Sequence, residues 1–147
     1  MSAFIDAWHQ DPLRKGKYFY AVVQPPIAWG GKPARHLAVD SRRVAVLRTR
    51  LRFNVARTGD VQFARHLASD DSCPLCGAGD SREHLLLQCP VFDAERYELS
   101  ALCSEYDVHL TVPAVLGEPL PRIGFRRAFL RATTRFLETV LARRGPI

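Results

Sequence analysis

The stretch from Cys73 to Cys89 constrains the fold more than any other part of the sequence. It holds three of the four cysteines and one histidine within seventeen residues, in the order C-x2-C-x7-H-x4-C. Three thiolates and one imidazole form a ligand set that binds structural zinc with tetrahedral geometry. The spacing therefore predicts one structural zinc ion, bound by Cys73, Cys76, His84 and Cys89. The alternative is a disulfide pair with one further buried cysteine.

The first half of this stretch predicts a tight turn, and the second half predicts a short helix. Cys73-Pro-Leu-Cys76-Gly has the composition of a turn that directs two sulfur atoms at one point. Asp80, with Glu83 three residues later, has the spacing of a capping box at a helix start. We therefore expect Asp80 to cap the helix that carries His84.

The relation between His84 and Cys89 depends on how this short helix ends. On a straight α-helix, residues five positions apart project about 140° apart, which would separate the two ligands. Pro90 disfavours helical backbone at Cys89. We therefore expect the chain to leave the helix at Gln88 and to turn Cys89 back towards His84.

Apolar residues recur at helical spacing through the rest of the chain from residue 41 and predict a mostly α, zinc-stapled domain over residues 41–147. A first helix is predicted over residues 41–57, capped by Asp40 or Ser41 and ended by Gly59. A short helix capped by Asp60 follows. Further helices are predicted over residues 93–103 and 122–143, with an extended piece at 108–112 and a loop at 113–121.

The same spacing predicts which side chains these helices bury. Three faces are apolar: Val44, Leu47, Leu51 and Val55; Val61, Ala64 and Leu67; and Phe125, Phe129, Ala132, Phe136 and Val140. The helix over residues 93–103 has one stripe of Phe92, Arg96, Leu99 and Cys103. Cys103 has no spacing relation to the other cysteines, so we expect it to be buried and inert. His66, in the short helix, is an alternative zinc ligand, although a packing or surface role fits its position better.

Residues 1–40 predict an irregular connecting arm. A short amphipathic helix is predicted within residues 4–8, and a single strand over residues 18–23, where β-forming side chains precede two prolines. The arm carries an aromatic cluster that can stack nucleic-acid bases or form core and domain-contact surface. Its members are Trp8, Tyr18, Phe19, Tyr20 and Trp29.

Charge is segregated along the chain. Residues 31–60 carry eight Lys and Arg against two Asp and Glu, and residues 121–147 carry seven against one. The intervening residues 61–120 carry three against ten. Two basic segments that flank an acidic middle favour a polyanionic partner, RNA or DNA. The alternative is solvated helix faces that pair with the acidic middle.

The positive charge is almost entirely arginine, which suits bidentate phosphate contact and stacking better than lysine does. Within the two basic segments, the arginines of the two long predicted helices are the candidate phosphate ligands. They are Arg43, Arg48, Arg50 and Arg52 in the first helix, and Arg127, Arg131 and Arg135 in the last.

No catalytic motif is present in the sequence. There is no glycine-rich phosphate loop, no G-x-S-x-G and no H-E-x-x-H. A zinc deaminase would need H-x-E and P-C-x-x-C, whereas this chain has C-P-L-C and no H-x-E. A zinc nuclease would need an open metal position, which a Cys3His set does not leave. We therefore expect a non-catalytic module.

The N-terminal residues show no secretory segment, and no apolar run approaches transmembrane length. We therefore expect an intracellular protein, in the nucleus, the cytoplasm or both, with reduced thiols and no membrane partner.

Four parts of the sequence together resemble a known family. They are Ser41-Arg-Arg43 with Leu47–Arg52, then Cys73-Pro-Leu-Cys76, then Glu83–Phe92, and finally Arg96 with Leu99. This combination resembles the C-terminal zinc-binding (CCHC) region of reverse transcriptases from non-LTR (LINE-type) retrotransposons. The resemblance is most specific over residues 41–99. The chain departs from the family at Gly59-Asp60, where many members have Gly-His.

The resemblance implies that Cys73, Cys76, His84 and Cys89 are the zinc ligands. It also implies that the region helps to hold template RNA or target DNA during target-primed reverse transcription. The alternative is a structural or docking domain that packs against polymerase or RNase H domains and binds little nucleic acid itself.

Overall fold

The computed structural model describes residues 39–117 and 123–147. Within these ranges the structure is mostly helical and has no strand, which confirms the mostly α part of the predicted fold class. The α-helices are α1 (Arg42–Arg52), α2 (Gly59–Ala64), α3 (Asp93–Glu105), α4 (Val112–Val115) and α5 (Ile123–Arg144). A π-helical turn (His84–Gln88) and a 3₁₀ turn (Pro90–Phe92) lie between α2 and α3.

Most of the predicted arm lies outside the described residues. The helix at residues 4–8, the strand at residues 18–23 and the aromatic cluster all fall there. The division of the chain into an arm and a domain therefore stays a prediction. No helix in the described ranges is long and apolar enough to cross a membrane.

The core forms where α1 and α3 pack against α5. All five residues of the apolar face predicted for α5 are buried, and so are all four of the stripe predicted along α3. Aromatic rings connect these faces: the Phe92 and Phe136 rings meet edge to face with centroids 6.0 Å apart. The rings of Phe125 and Phe129 lie 5.1 Å apart along α5. Helical periodicity therefore predicted this part of the core correctly.

Helix α1 is shorter than predicted. Ser41 caps its start, since its Oγ accepts from the backbone N–H of Val44 at 3.4 Å. The helix ends at Arg52, and Asn54 follows in the left-handed region with φ of 52°. The N–H of Val55 then donates to the carbonyl of Arg50 at 2.9 Å. Asparagine tolerates this conformation, which is why a helix ends here without a glycine.

Helix α2 corrects two predictions. Gly59 does not end the preceding helix but begins α2, which spans six residues. Val61 is buried, whereas Ala64 is exposed and Leu67 is 69% exposed. The reason is that the helix stops at Ala64 and His66 takes a left-handed φ of 57°, so the periodic pattern does not continue to Leu67.

Helix α4 replaces the last residue of the predicted extended piece and the start of the predicted loop. The hydroxyl of Thr111 accepts from the N–H of Ala114 at 3.3 Å and caps the helix. Pro113 lies in its first turn, where the missing N–H has no intrahelical partner to lose. The loop prediction is wrong over residues 113–115 because Pro113 lies in the first turn of a helix and does not break it, whereas residues 108–111 lie outside the helix.

Candidate metal centre and arginine surfaces

The four predicted ligands come together in one cluster. The Sγ atoms of Cys73, Cys76 and Cys89 and a ring nitrogen of His84 all lie within 4.8 Å of one another. The Sγ of Cys76 is 3.2 Å from Nε2 of His84. No disulfide links these cysteines, which rules out the disulfide alternative for the described structure. The described cluster does not include His66.

The first two ligands lie on a tight turn, as predicted. The N–H of Cys73 donates to the carbonyl of Ala78 at 2.6 Å, and the N–H of Gly77 donates to the carbonyl of Cys73 at 2.8 Å. Gly77 has a φ of 80°, a conformation that glycine adopts without steric cost. An antiparallel bridge between Ser72 and Gly79 closes the base of the turn.

A π-helical turn brings the last two ligands to the same side. The N–H of Cys89 donates to the carbonyl of His84, five residues earlier, at 2.7 Å. This wider turn removes the angular separation that a regular α-helix would impose. Cys89 itself has extended backbone before Pro90, so the expected exit of the chain at Gln88 also occurs.

Ser81, and not Asp80, caps the helix that carries His84. The Oγ of Ser81 accepts from the N–H of His84 at 3.0 Å. Glu83 pairs with the neighbouring Arg82, so there is no capping box. The prediction failed because the Asp80 carboxylate has other, buried partners.

Asp80 connects the metal cluster to two helices. Its carboxylate is fully buried and accepts both guanidinium N–H groups of Arg144, at the end of α5, one of them at 2.6 Å. It also accepts the N–H of Gly59, the first residue of α2. The backbone N–H of Asp80 donates to Asp71 at 2.7 Å, and its carbonyl accepts from Asp60 at 2.9 Å.

Burial and backbone N–H groups shift the pKa values of two thiols in the cluster, in opposite directions. Burial raises the pKa of Cys89 to about 11, with the N–H of Val91 acting in the opposite direction. The backbone N–H of Ala78 lowers the pKa of Cys76. Arg96 donates to the carbonyl of Cys89 and fixes the backbone that carries this ligand. Cys89 therefore stays a neutral thiol near neutral pH unless a cation binds beside it.

A tetrahedral zinc ion fits these donors. Bond lengths of about 2.3 Å to sulfur and about 2.0 Å to nitrogen place tetrahedral ligands roughly 3.5–3.8 Å apart. The observed cluster, with all ligand atoms within 4.8 Å, needs only small side-chain adjustments to reach that spacing. Soft thiolates with one imidazole also suit zinc better than magnesium or calcium.

The structure divides the seven predicted phosphate ligands into two groups, and two of them are not available to a phosphate. Arg48 is fully buried, and Arg52 is 4% exposed. Both belong to the network that joins α1 to α4 and α5. They are excluded as phosphate ligands because the tertiary structure already uses their donors.

Arg48 lies at the centre of this network. Its guanidinium pairs with both carboxylate oxygens of Asp40, at 2.8 and 2.9 Å, and neither side chain is exposed. It also donates to the carbonyl of Val115 at 2.5 Å and lies within 3.5 Å of the hydroxyls of Thr133 and Thr134. These contacts join α1, α4 and α5 through one side chain.

Arg52 repeats the arrangement one turn later. Its Nε donates to the carbonyl of Leu116 at 2.7 Å. Burial, with a smaller contribution from the nearby charge of Arg48, lowers the pKa of Arg52 to about 10. The side chain therefore remains charged at neutral pH and supplies a cation at the C-terminal end of α4, where helix carbonyls favour one.

The other predicted arginines are exposed. Arg43 and Arg50 lie on the outer face of α1, and Arg50 also donates to the carbonyl of Ile147 at 2.8 Å. The stripe on α5 is intact and exposed along its length. It consists of Arg127, Arg131 and Arg135, which have no ion-pair partner within the described ranges.

Three residues of structural importance were not predicted from the sequence in these roles: Asp40, Asp80 and Arg144. Asp40 and Asp80 looked like helix caps because they precede helices. Their buried partners are separated from them in sequence by 8 and 64 residues respectively. Only the high arginine content hinted that some guanidinium groups would need buried carboxylates.

The fold and the cluster define the class: a mostly helical domain with a Cys3His cluster that can hold a metal ion. Comparison with protein-family models, with curated proteins and with solved structures finds no match.

Proposed function

We propose that this chain is a zinc-stapled nucleic-acid-binding module. In this proposal one structural zinc ion fixes the segment between α2 and α3, and exposed arginines bind phosphates. The module would serve as the C-terminal region of a non-LTR retrotransposon reverse transcriptase, helping to hold template RNA or target DNA during target-primed reverse transcription. The observation that carries the proposal is the exposed arginine stripe on α5.

The stripe is suited to a nucleic-acid backbone. Arg127, Arg131 and Arg135 follow one another at intervals of four residues, so they lie about 6 Å apart along the helix axis. Phe129 and Phe136 anchor the opposite face of α5 in the core. The helix therefore presents three unpaired cations from a rigid support, and arginine is the cation that binds phosphate in bidentate geometry.

The metal cluster supports the proposal in a different way. Three cysteines and one histidine complete a tetrahedral zinc shell, which is the arrangement of a structural site. The zinc ion itself therefore supplies stability in this proposal and no catalysis. Elemental analysis of purified protein should give one zinc per chain. Cys89→Ser should lose it, whereas Cys103→Ser, a buried cysteine outside the cluster, should keep it; a folded, metal-free protein refutes this part.

A salt titration tests the nucleic-acid part. Each neutralised phosphate releases counterions, so the affinity for a single strand should fall with a logarithmic slope of about −0.7 per contact. Replacing Arg127 and Arg131 by glutamine should reduce that slope by about 1.4. The matched control replaces two other exposed arginines, Arg57 and Arg65, with the same change in net charge. Affinity independent of salt, or equal losses in both variants, refutes the role of α5.

A second candidate function is a docking domain that packs against polymerase or RNase H domains. The observation that favours it is apolar exposure at the end of α2, where Phe63 in the helix is 52% exposed and Leu67 after it is 69% exposed. Replacing both by serine should abolish capture of such domains while leaving RNA binding unchanged. Loss of RNA binding together with unchanged capture excludes this candidate.

A further inference from the structure

A shallow groove lies between the outer face of α1 and the C-terminal residues. Its volume is about 230 Å³, and its apolar floor includes Val46, Leu141 and Pro146. An adjoining depression of about 270 Å³ shares Arg42, Val46 and Arg50 and is also lined by Ala45 and Thr49 of α1. Val46 lines both depressions and is 43% exposed, so an apolar side chain is accessible to solvent on a helix face that also carries arginines.

Arginines surround this apolar floor. Arg42, Arg43 and Arg50 all line the groove. Arg42 and Arg43 have no hydrogen-bond or ion-pair partner within the described ranges, and both are exposed. Arg50 bonds to the carbonyl of Ile147, which holds the last residues in place as one wall. The groove therefore combines unpaired positive charge with a fixed apolar surface.

The dimensions limit the ligand. Pockets for drug-sized molecules or whole cofactors usually exceed about 300 Å³. Each depression here is smaller and open, so each suits one flat ring whose remaining atoms stay in solvent. A suitable ligand has flat, partly apolar rings that pack on the apolar floor, and regularly spaced negative charges that pair with the surrounding arginines.

We infer that this groove binds unstacked bases of a single-stranded nucleic acid, with Arg42, Arg43 and Arg50 holding the flanking phosphates. This inference rests on the proposed function and narrows its ligand to single strands. A duplex keeps its bases stacked inside, so it can use the arginines but leaves the apolar floor uncovered. Arginine guanidinium planes also stack on bases, which lysine does not do as well.

The test compares a single-stranded RNA of about 12 nucleotides with a blunt DNA duplex of the same length by fluorescence anisotropy at fixed salt. The wild-type protein should bind the single strand more tightly. Val46→Glu should lower single-strand affinity about fivefold to tenfold, and Val46→Tyr should raise it about fivefold by adding a stacking surface. Duplex affinity should change much less with Val46→Tyr.

Ser100→Glu is the matched control for charge, because Ser100 is exposed on α3 and does not line the groove. It should lower single-strand affinity by about twofold at most, since distant exposed charges are screened. Equal losses in Ser100→Glu and Val46→Glu overturn the inference. So does a Val46→Tyr variant that changes single-strand and duplex affinity equally.

The outcomes also separate the inference from the proposed function. One outcome is salt-sensitive binding that favours neither single strand nor duplex and does not depend on Val46. This result agrees with the proposed function and refutes base binding in the groove. No salt-sensitive binding of any nucleic acid refutes both. A third outcome is that a peptide of alternating glutamate and leucine binds in a Val46-dependent manner, whereas RNA binding does not depend on Val46. This result indicates an acidic protein partner for the groove and overturns the inference.

Discussion

Replacing Arg48 by methionine should destabilise the protein strongly and leave the exposed arginines that we propose as phosphate ligands unchanged. Methionine keeps much of the side-chain volume but removes the guanidinium. The change leaves the Asp40 carboxylate buried without its main cation, although that carboxylate still accepts the hydroxyl of Thr134 at 2.7 Å. It also removes the donor to the carbonyl of Val115, which Arg48 reaches at 2.5 Å.

The magnitude follows from these losses. Breaking a fully buried ion pair by removing one partner costs about 3–5 kcal/mol. A buried carbonyl left without its donor costs about 1–3 kcal/mol, part of which is already counted in that range. We expect the free energy of unfolding to fall by about 4 kcal/mol. With a urea m-value of about 2 kcal/mol/M, the unfolding midpoint should drop by about 2 M.

The assay is urea unfolding with zinc present, followed by circular dichroism. Arg43→Met on the same helix is the control, because Arg43 is exposed and has no described partner; its midpoint should move by less than about 0.3 M. RNA affinity, measured below the unfolding transition, should fall for Arg43→Met and stay unchanged for Arg48→Met. An Arg48→Met protein of normal stability and reduced RNA affinity would refute the assignment of Arg48 to the core.

Three further predictions concern residues around the core and the cluster. Asp80→Asn should lower the free energy of unfolding by about 3 kcal/mol because it breaks the buried ion pair with Arg144 at the end of α5. Asp93→Asn is the control: its side chain is 71% exposed, so it should cost under about 1 kcal/mol in the same urea assay. Equal effects of the two substitutions contradict the prediction. Gly59→Ala should cost about 1–3 kcal/mol because its Cβ would lie 2.4 Å from a backbone oxygen, while Gly79→Ala, with open space around it, should be near neutral by thermal unfolding. Burial raises the pKa of the Cys103 thiol above 9.0, so the neutral buried thiol contributes to folding stability at neutral pH, and this contribution is lost as the pH rises through the folded-state pKa. Because the thiol is buried, maleimide should label Cys103 in urea and not in the native protein, as measured by mass spectrometry. Rapid labelling of the native protein contradicts this prediction.

The sequence allowed the cluster and the helical core to be predicted because both depend on local spacing. The four ligands follow a C-x2-C-x7-H-x4-C pattern, and their residue types and close spacing indicate a Cys3His metal site. The buried face of α5 follows from a regular period of about 3.6 residues. The π-helical turn at His84–Gln88 was not predicted, because its five-residue hydrogen bond has no distinctive sequence pattern.

Hydropathy alone did not divide the arginines of α1 into buried and exposed. In α1, Arg48 and Arg52 are buried whereas Arg43 and Arg50 are exposed, although hydropathy treats all four alike. The helical period places Arg48 on the same face as buried Val44. The partners of Arg48 and Arg52 are Asp40 and the carbonyl groups at the end of α4. Such long-range complementarity appears only once the helices have been placed.

This division changes which arginines we propose as phosphate ligands. Burial of Arg48 and Arg52 commits half of the predicted phosphate ligands of α1 to the core, so α5 supplies most of the exposed predicted cations. The end of α5 is held to the metal cluster by the pair between Arg144 and Asp80. Asp80 also lies in the segment between the ligands Cys76 and His84. If this segment becomes disordered when no metal is bound, the ion pair between Asp80 and Arg144 should break as well. We therefore expect bound zinc to support α5 through its buried end, while the arginines that we propose as phosphate ligands lie elsewhere on its surface.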